Sequence, residues 1–261
     1  MQEVVGVFMS GVLSTRLERL LPNGRGLWIP MDHGLSGYPE DGLDRLDSVV
    51  DSVIAGGADA IVCQKGLLTH QSNRTHWDGF VCHVSASTAH GGSHSQSKVK
   101  VATASEAKSR GALGVSGQIN LGDEHEPQML IDMGILTAEA HAENMPVLGM
   151  VYPRGPNLVA LPNDVTGGVA HAARVAFELG CHAVKVPWTG NAESFRKVCE
   201  AVPIPVLISG GPMGGNFSET LEIVRYAMAA GGAGVCIGRQ VFGAQDPEAC
   251  VRQLRKIIHD V

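Results

Sequence analysis

Eight short apolar runs, each ending in polar or glycine residues, constrain the fold of this 261-residue chain more than any other feature of its sequence. Most runs are followed by a segment with the apolar spacing of a helix, and the stretches AGGADA, ELGCHA and AGGAGV each place a glycine between a helix end and the next run. The eight runs are GLWIPMDHG, ADAIVCQKG, FVCHVSAS, ALGVSGQINLG, PVLGMVYPRG, HAVKVPWTG, PVLISGG and AGVCIGR. Because parallel strands need crossover connections, this alternation predicts a parallel sheet covered by helices.

The number of units predicts how the sheet closes. Eight strand–helix units in about 230 residues favour a closed (β/α)8 barrel, or TIM barrel, over an open sheet. We expect one α/β domain over residues 1–261, with a short N-terminal extension over residues 1–25. A flavodoxin-like open sheet is the alternative, because the third helix is hard to recognise among the polar loops of residues 66–105. The helical spacing predicts Leu43–Ala55, Pro127–Glu143, Pro162–Leu179, Ala192–Ala201, Ser218–Ala230 and Pro247–His259.

Composition and charge exclude several classes of function. The net charge of −6 supplies no basic face, so we expect neither a nucleic-acid binder nor a protein of anionic membranes. No stretch approaches the roughly 20 apolar residues of a membrane span. The first residues include acids and lack a basic region with a cleavage site, so a signal peptide is not expected. Six cysteines without a C-x-x-C pair predict free thiols in a reducing, cytoplasmic compartment.

Lys185 stands in the apolar run CHAVKVPWTG, with no acid nearby in sequence. Side chains alternate along a strand, so Ala183 and Lys185 share one face while Val184 and Val186 share the other. The β-branched pair suits the helix-facing side, which leaves Lys185 pointing into the barrel. Burial disfavours a charged amine, so the sequence predicts a lowered pKa and a nucleophilic lysine.

Tyr152 and Asp32 end two other runs and are predicted to reach the same place. Parallel neighbours lie about 4.8 Å apart, so Tyr152 and Lys185 can contact one small ligand. An amine that condenses with a ketone forms an iminium, and the cycle needs a proton shuttle such as a phenol or a carboxylate. The alternatives are a structural ion pair between Lys185 and Asp32, a packing role for Tyr152, and turn chemistry in Asp32-His33-Gly34.

The loops after the last two runs predict a phosphate site. ISGGPMGGNFSETLEIV places a glycine pair before a helix, and CIGRQVFG places Gly238-Arg239 after the eighth run. Glycine lets backbone N–H groups approach an anion, and arginine offers a forked contact. Loops after strands seven and eight are a frequent phosphate site in these barrels. The alternative is that the glycines only serve tight turns. The predicted members are Ser209, Gly210, Gly211, Gly238 and Arg239.

Five short motifs occur here in the order found in one family. They are PMDHG, YPRG, a VK pair that is followed three residues later by TG, SGGP, and a GR pair near the C-terminus. From about Leu17 to His259 the chain resembles the archaeal-type class I aldolases, which include fructose-bisphosphate aldolase and 2-amino-3,7-dideoxy-threo-hept-6-ulosonate synthase. The resemblance implies a TIM barrel, Schiff-base catalysis without metal or other cofactor, and often rings of ten subunits. Carried over by motif, the roles are a Schiff-base amine for Lys185, an acid/base for Tyr152, a supporting carboxylate for Asp32, and phosphate binding for Gly210, Gly211, Gly238 and Arg239.

The heptulosonate synthase branch is the more similar, through LWIPMDHGLSG, QKGLLTH, HVSAST and MVYPRG. Two features depart from it: Val186-Pro187-Trp188 follows the lysine where relatives carry a smaller polar residue and then tyrosine, and the segment 83–97 is rich in serine and histidine. Both are expected near the mouth of the barrel. They therefore bear on the acceptor substrate more than on the chemistry.

The remaining polar strand ends, Lys65, Arg154 and His33, are predicted to contact substrate. One phosphate site is readable, whereas fructose 1,6-bisphosphate would need a second of comparable strength. The mixed charges suit a zwitterion such as aspartate semialdehyde, joined to dihydroxyacetone phosphate to give an amino-keto-heptanoate precursor of an aromatic ring. Fructose-bisphosphate aldolase is the alternative, as is structural pairing of Lys65 and Arg154.

Three other functions compete with this interpretation. A metal-dependent aldolase or hydrolase would use histidines, and HGGSH offers His90 and His94 at ligand spacing. A non-catalytic phosphosugar-binding barrel would keep Arg239 without needing Lys185. Acyl transfer from a phosphorylated dione, as in a thiolase branch of the same family, is the third.

Overall fold

The computed structural model describes residues 11–158, 163–210 and 216–260, and within them eight parallel strands close into a barrel. Around the barrel the order is β1-β2-β3-β6-β7-β8-β9-β10, and β10 pairs with β1. The predicted (β/α)8 barrel is confirmed, and the open-sheet alternative is wrong because the first and last strands are paired. The strands are β1 Gly26–Pro30, β2 Ala60–Cys63, β3 Phe80–His83, β4 Ser85–Ala86, β5 Val99–Lys100, β6 Gly114–Leu121, β7 Val147–Pro153, β8 Ala183–Val186, β9 Val206–Ser209 and β10 Gly234–Cys236.

Helices connect the strands as the apolar spacing predicts, with ends that differ by a few residues. The α-helices are α1 Gly11–Leu20, α2 His33–Ser36, α3 Leu46–Ala55, α4 Lys65–His70, α5 Ala104–Ser109, α6 Glu126–Ala142, α7 Val165–Glu178, α8 Ala192–Glu200, α9 Phe217–Ala229, α10 Arg239–Phe242 and α11 Pro247–His259. The predicted start of α7 at Pro162 lies outside the described residues. None of the described helices combines the length and the apolar character needed to cross a membrane.

The connection between β3 and β6 explains why the third helix was hard to recognise. The antiparallel pair β4–β5 and a 3-10 helix over Ala89–Gln96 interrupt the chain before α5 begins. Helix α5 has only six residues, and Thr103 caps it by accepting a hydrogen bond from the N–H of Glu106. A short helix behind a hairpin leaves little apolar periodicity in the sequence.

Two apolar layers follow the alternation of side chains along the strands. Val184 and Val186 of β8 belong to the layer between the barrel and its helices. Ala183 on the other face packs in the interior with Leu148 and Met150 of β7. The predicted faces of β8 are therefore confirmed, and Lys185 faces inward.

The N-terminal segment closes one end of the barrel. Leu20 and Leu21, at the end of α1, pack in the interior cluster. The indole Nε1 of Trp28 donates to the Leu20 carbonyl at 2.7 Å. A Cβ on Gly26 or Gly114, which begin β1 and β6, would lie 2.5 Å from Leu21 or 3.2 Å from Leu20. Apolar side chains thus fill the amino ends of the strands, and the cavity opens at the other end.

Candidate active site

A cavity of about 740 Å³ opens at the carboxyl ends of the barrel strands. Most of the residues predicted from the sequence line it: Asp32, His33, Tyr152, Arg154, Lys185, Ser209, Gly210, Gly238 and Arg239. The predicted Gly211 lies outside the described residues. Lining residues that the sequence analysis did not select include Glu40, Gln96, Lys98, Gln118 and Cys236.

Lys185 lies at the centre of this cavity. Its strand position pairs with Met150 of β7 and Leu207 of β9, so strands flank it on both sides. The residue is 7% exposed. Tyr152 and Cys236 line the same cavity, and both act on the pKa of the Lys185 amine. The predicted approach of Tyr152 and Lys185 is therefore seen in the structure.

The protonation state of Lys185 differs from the sequence prediction. Burial lowers its pKa, but Cys236, Tyr152 and Asp32 together raise the pKa above its ordinary value. Burial in turn raises the pKa of Cys236 to about 11 and that of Tyr152 above 10.0, so both are protonated at neutral pH. The prediction of a lowered lysine pKa was wrong because it counted burial and not the groups that face the amine. Of these three groups, Asp32 is therefore the one that is charged at neutral pH, and it lines the same cavity as the amine.

Asp32 follows β1 and remains ionised although it is largely buried. Burial raises its pKa, but His83, His33 and Lys185 outweigh burial and lower the pKa below 3.8. Its two carboxylate oxygens each lie 3.7 Å from a ring nitrogen, Oδ1 from His33 Nδ1 and Oδ2 from His83 Nε2. Asp32 thus supplies an ionised carboxylate to the cavity that Lys185 lines.

His83 is a site residue that the sequence analysis missed. It ends β3, is 2% exposed, and its Nδ1 is hydrogen-bonded to Ser116 Oγ at 2.8 Å. Burial lowers its pKa to about 4, against the opposing effect of Asp32, so the ring is neutral at neutral pH. His83 does not line the cavity and acts on it through Asp32. A polar residue at the carboxyl end of the third run was the signal that could have identified it.

The glycines of the predicted phosphate site are packed closely against their surroundings. A Cβ on Gly238 would lie 2.3 Å from the Pro30 carbonyl oxygen, and one on Gly210 would lie 2.8 Å from Ile237. This packing accounts for glycine at both positions, as the tight-turn alternative holds. Arg239, the first residue of α10, lines the cavity beside this backbone.

Of the two predicted substrate contacts Lys65 and Arg154, only Arg154 lines the cavity. Lys65 begins α4, donates to the Val101 carbonyl at 2.8 Å and forms an ion pair with Glu106 at 3.2 Å. It does not line the cavity, so its prediction as a substrate contact is corrected to a structural pairing. Arg154 does line the cavity, with Nε 2.9 Å from Asn120 Oδ1 and the guanidinium carbon 4.7 Å from the Tyr152 ring centroid.

The serine- and histidine-rich segment lies partly at the cavity. Ala89, Ser95 and Gln96 contribute to its lining. His94 points away and lies with Glu124 and His125 in an exposed group whose ligand atoms are within 4.8 Å of one another. That group is outside the cavity lining, and it differs from the predicted His90–His94 pair.

Trp188, which departs from the related sequences, is a packing residue in this structure. Its ring lies 5.1 Å from that of Phe195 on α8, between centroids. The side chain packs against the layer between barrel and helices and does not line the cavity.

The chain is similar to known aldolases over almost its whole length. A family model described as DeoC/LacD family aldolase matches residues 27–244. A 2-amino-3,7-dideoxy-D-threo-hept-6-ulosonate synthase of Halobacterium salinarum is 36% identical over 247 residues, covering 95% of this chain and 91% of that protein. A 2-amino-4,5-dihydroxy-6-oxo-7-(phosphonooxy)heptanoate synthase of Streptomyces griseus is 36% identical over 253 residues, covering 95% and 90%.

The barrel also resembles a solved structure of an archaeal fructose-1,6-bisphosphate aldolase whose catalytic lysine is covalently bound to the carbinolamine intermediate of the substrate. The TM-score is 0.80 at 26% identity, and the match covers 94% of this chain and 99% of that one. The family model covers more than half of the chain, and both curated relatives are more than 30% identical to it over most of its length. The chain belongs to the DeoC/LacD family of aldolases.

Proposed function

We propose that this chain is a Schiff-base aldolase that joins dihydroxyacetone phosphate to aspartate semialdehyde through Lys185. The observation that carries the proposal is the inward-facing Lys185, which lines one cavity together with the protonated Tyr152 phenol and the ionised Asp32 carboxylate. The archaeal fructose-1,6-bisphosphate aldolase with a similar barrel is described with its catalytic lysine bound to a carbinolamine. Lys185 is the cavity lysine whose surroundings suit that chemistry.

The first half of the reaction makes a carbon nucleophile. Asp32 takes a proton from the ammonium of Lys185, whose nitrogen attacks the ketone carbon of dihydroxyacetone phosphate. The carbinolamine loses water, with a proton from Tyr152, and becomes an iminium. The Tyr152 phenolate then removes a proton from the hydroxymethyl carbon, and the iminium accepts the electron pair to give an enamine.

The second half forms the carbon–carbon bond. The enamine carbon attacks the aldehyde carbon of the acceptor, and the new alkoxide takes the proton that Tyr152 holds. Water then adds to the iminium, and the proton that it loses returns to the Tyr152 phenolate. The carbinolamine breaks down to the ketone product and the Lys185 amine, which takes back the proton held by Asp32. All atoms of the two substrates are kept in the product, and no oxidant or reductant is consumed.

The donor phosphate is assigned to the side of the cavity formed by β9 and β10. Ser209, Gly210, Gly238 and Arg239 line that side, next to the strand that carries Lys185. Arg239 supplies the cationic contact to phosphate. Gly211 is kept in this proposal on the sequence motif alone.

The acceptor follows from the chemistry of the relatives' products. The heptanoate named for the Streptomyces griseus relative divides at its C4–C5 bond into dihydroxyacetone phosphate and 2-amino-4-oxobutanoate, which is aspartate semialdehyde. An acceptor with an amine and a carboxylate needs partners of both signs. The cavity lining includes Glu40, whose buried Oε2 has no hydrogen-bond partner among the described residues, and the cation Arg154.

Fructose-bisphosphate aldolase is the second candidate, favoured by the structural match at TM-score 0.80. From the sequence we further propose a cytoplasmic homo-oligomer, a ring of ten by the family resemblance, that works on phosphorylated small molecules without metal or cofactor. Thiolase-type acyl transfer would show as turnover of coenzyme A, and non-catalytic sugar binding as affinity without turnover.

A direct competition tests the acceptor. Dihydroxyacetone phosphate is supplied with equal concentrations of aspartate semialdehyde and glyceraldehyde 3-phosphate, and the products are followed by mass. We expect the phosphorylated amino-heptanoate to form faster. Faster formation of fructose 1,6-bisphosphate would overturn the acceptor assignment and leave the aldolase assignment intact. Activity that is lost with EDTA but survives borohydride plus substrate would instead favour the metal-dependent alternative.

A further inference from the structure

Two further cations line the cavity, Lys98 and Arg154, and neither forms an ion pair with an acid among the described residues. Lys98 is 8% exposed, and its Nζ donates to Ser87 Oγ at 2.7 Å. Arg154 donates to Asn120. In the part of the chain that the structure describes, no ion pair joins either side chain to a carboxylate, and both line the cavity. Burial and then Arg154 lower the pKa of Lys98, whereas Asp32 raises it and does not outweigh them.

Lys100 shows what an ordinary buried lysine looks like in the same segment. Its side chain is 14% exposed and forms an ion pair with Glu139. Lys100 does not line the cavity. Removing an ammonium from water costs several kcal/mol unless a counter-charge or good hydrogen bonds compensate. The Lys98 amine has one hydrogen bond, to Ser87, and no ion pair among the described residues, and Asp32 offsets its burial only in part. This incomplete compensation favours a ligand that brings a further negative charge.

The position of the pair relative to Lys185 indicates which ligand. In the barrel, β8 lies between β7 and β9. Arg154 follows β7, whereas Arg239 follows β10 on the other side. A donor held by Arg239 and bound to Lys185 therefore leaves the side of Lys98 and Arg154 for the acceptor.

We propose that Lys98 and Arg154 form an anion subsite that binds the negatively charged group of the acceptor aldehyde. That group is the carboxylate in an amino aldehyde and the phosphate in glyceraldehyde 3-phosphate. This inference rests on the proposed function, because it presumes an aldehyde acceptor. It assigns the second anion site to Lys98 with Arg154, in place of the Lys65 expected from the sequence.

The test compares Lys98→Met with wild type on three acceptors: aspartate semialdehyde, glyceraldehyde 3-phosphate and the uncharged butanal. Because a charge-assisted contact is lost, we expect kcat/KM to fall roughly 10- to 100-fold for the charged acceptors and to change little for butanal. The larger of the two losses identifies whether the subsite suits carboxylate or phosphate. Lys100→Met is the matched control, and we expect it to change kcat/KM by the same factor for all three acceptors.

Trapping of dihydroxyacetone phosphate by borohydride separates this inference from the proposed function. We expect equal trapping in wild type and Lys98→Met, because the donor does not use the subsite. No trapping in the wild type would contradict the proposed function itself. Equal losses for all three acceptors, no loss for either charged acceptor, or weaker donor trapping in Lys98→Met would each overturn the subsite. Lys98→Gln, which keeps a polar side chain, repeats the comparison if Lys98→Met does not fold.

Discussion

Inward-facing side chains fill both ends of the barrel interior, but those at one end are apolar and those at the other end are charged or polar. At the amino end, Leu20 and Trp28 are buried in an apolar cluster. At the carboxyl end, the inward positions carry charged and polar side chains, with Lys185 beside Asp32 and Tyr152. On β8 the apolar Ala183 and Lys185 are successive inward-facing residues, two positions apart. Stability and chemistry are therefore divided along each strand, and substitutions at the two ends should affect different measurements.

Replacement of Lys185 should have the largest effect. Lys185→Met removes the nucleophile, so we expect a loss of turnover beyond the roughly 10²- to 10⁴-fold produced by loss of an acid/base group. Borohydride with dihydroxyacetone phosphate should attach one donor per wild-type chain, on the peptide that contains Lys185, and none to the variant. Mass spectrometry of the peptides measures this. Near wild-type turnover in the variant would contradict the mechanism.

Replacement of Tyr152 should have the next largest effect and should separate the shuttle from the nucleophile. Tyr152→Phe is expected to keep the borohydride adduct and to lose roughly 10²- to 10⁴-fold in kcat, because the amine remains and the proton carrier is gone. Tyr226→Phe, on the exposed surface of α9, is the matched control and should be fully active. Full activity of Tyr152→Phe would assign the proton transfer to Asp32 or to water.

A substitution at the amino end should produce the smallest effect on activity and a clear effect on stability. Leu20→Ala removes a fully buried side chain from the interior, so we expect the free energy of unfolding to fall by roughly 2–5 kcal/mol. The kcat of the folded fraction should be unchanged. Urea denaturation and steady-state kinetics measure the two quantities. Ile131→Ala, on the exposed face of α6, is the control for stability. A large fall in kcat for Leu20→Ala would show that the two ends are coupled.

Local sequence patterns were sufficient for the barrel and for much of its lining. Alternation along β8 predicted that Lys185 faces inward, and the spacing of neighbouring strands predicted that Tyr152 reaches the same ligand. The structure places both at one cavity. The extension before β1 gave no such pattern, because its role depends on Leu20 meeting the starts of strands far along the chain. Its contribution to the interior became visible only in the folded chain.

Periodicity and chain order determined the fold, since the faces of strands and helices follow from residues that are neighbours in sequence. The tertiary structure decided the charges. Lys185 and Lys65 both stand at strand ends, but one faces Asp32 and the other pairs with Glu106. Lys98, in a loop segment without apolar periodicity, reaches the cavity that Lys65 does not. A pKa or an ion pair depends on groups a few ångströms away, and in a barrel those groups come from strands that the sequence keeps far apart.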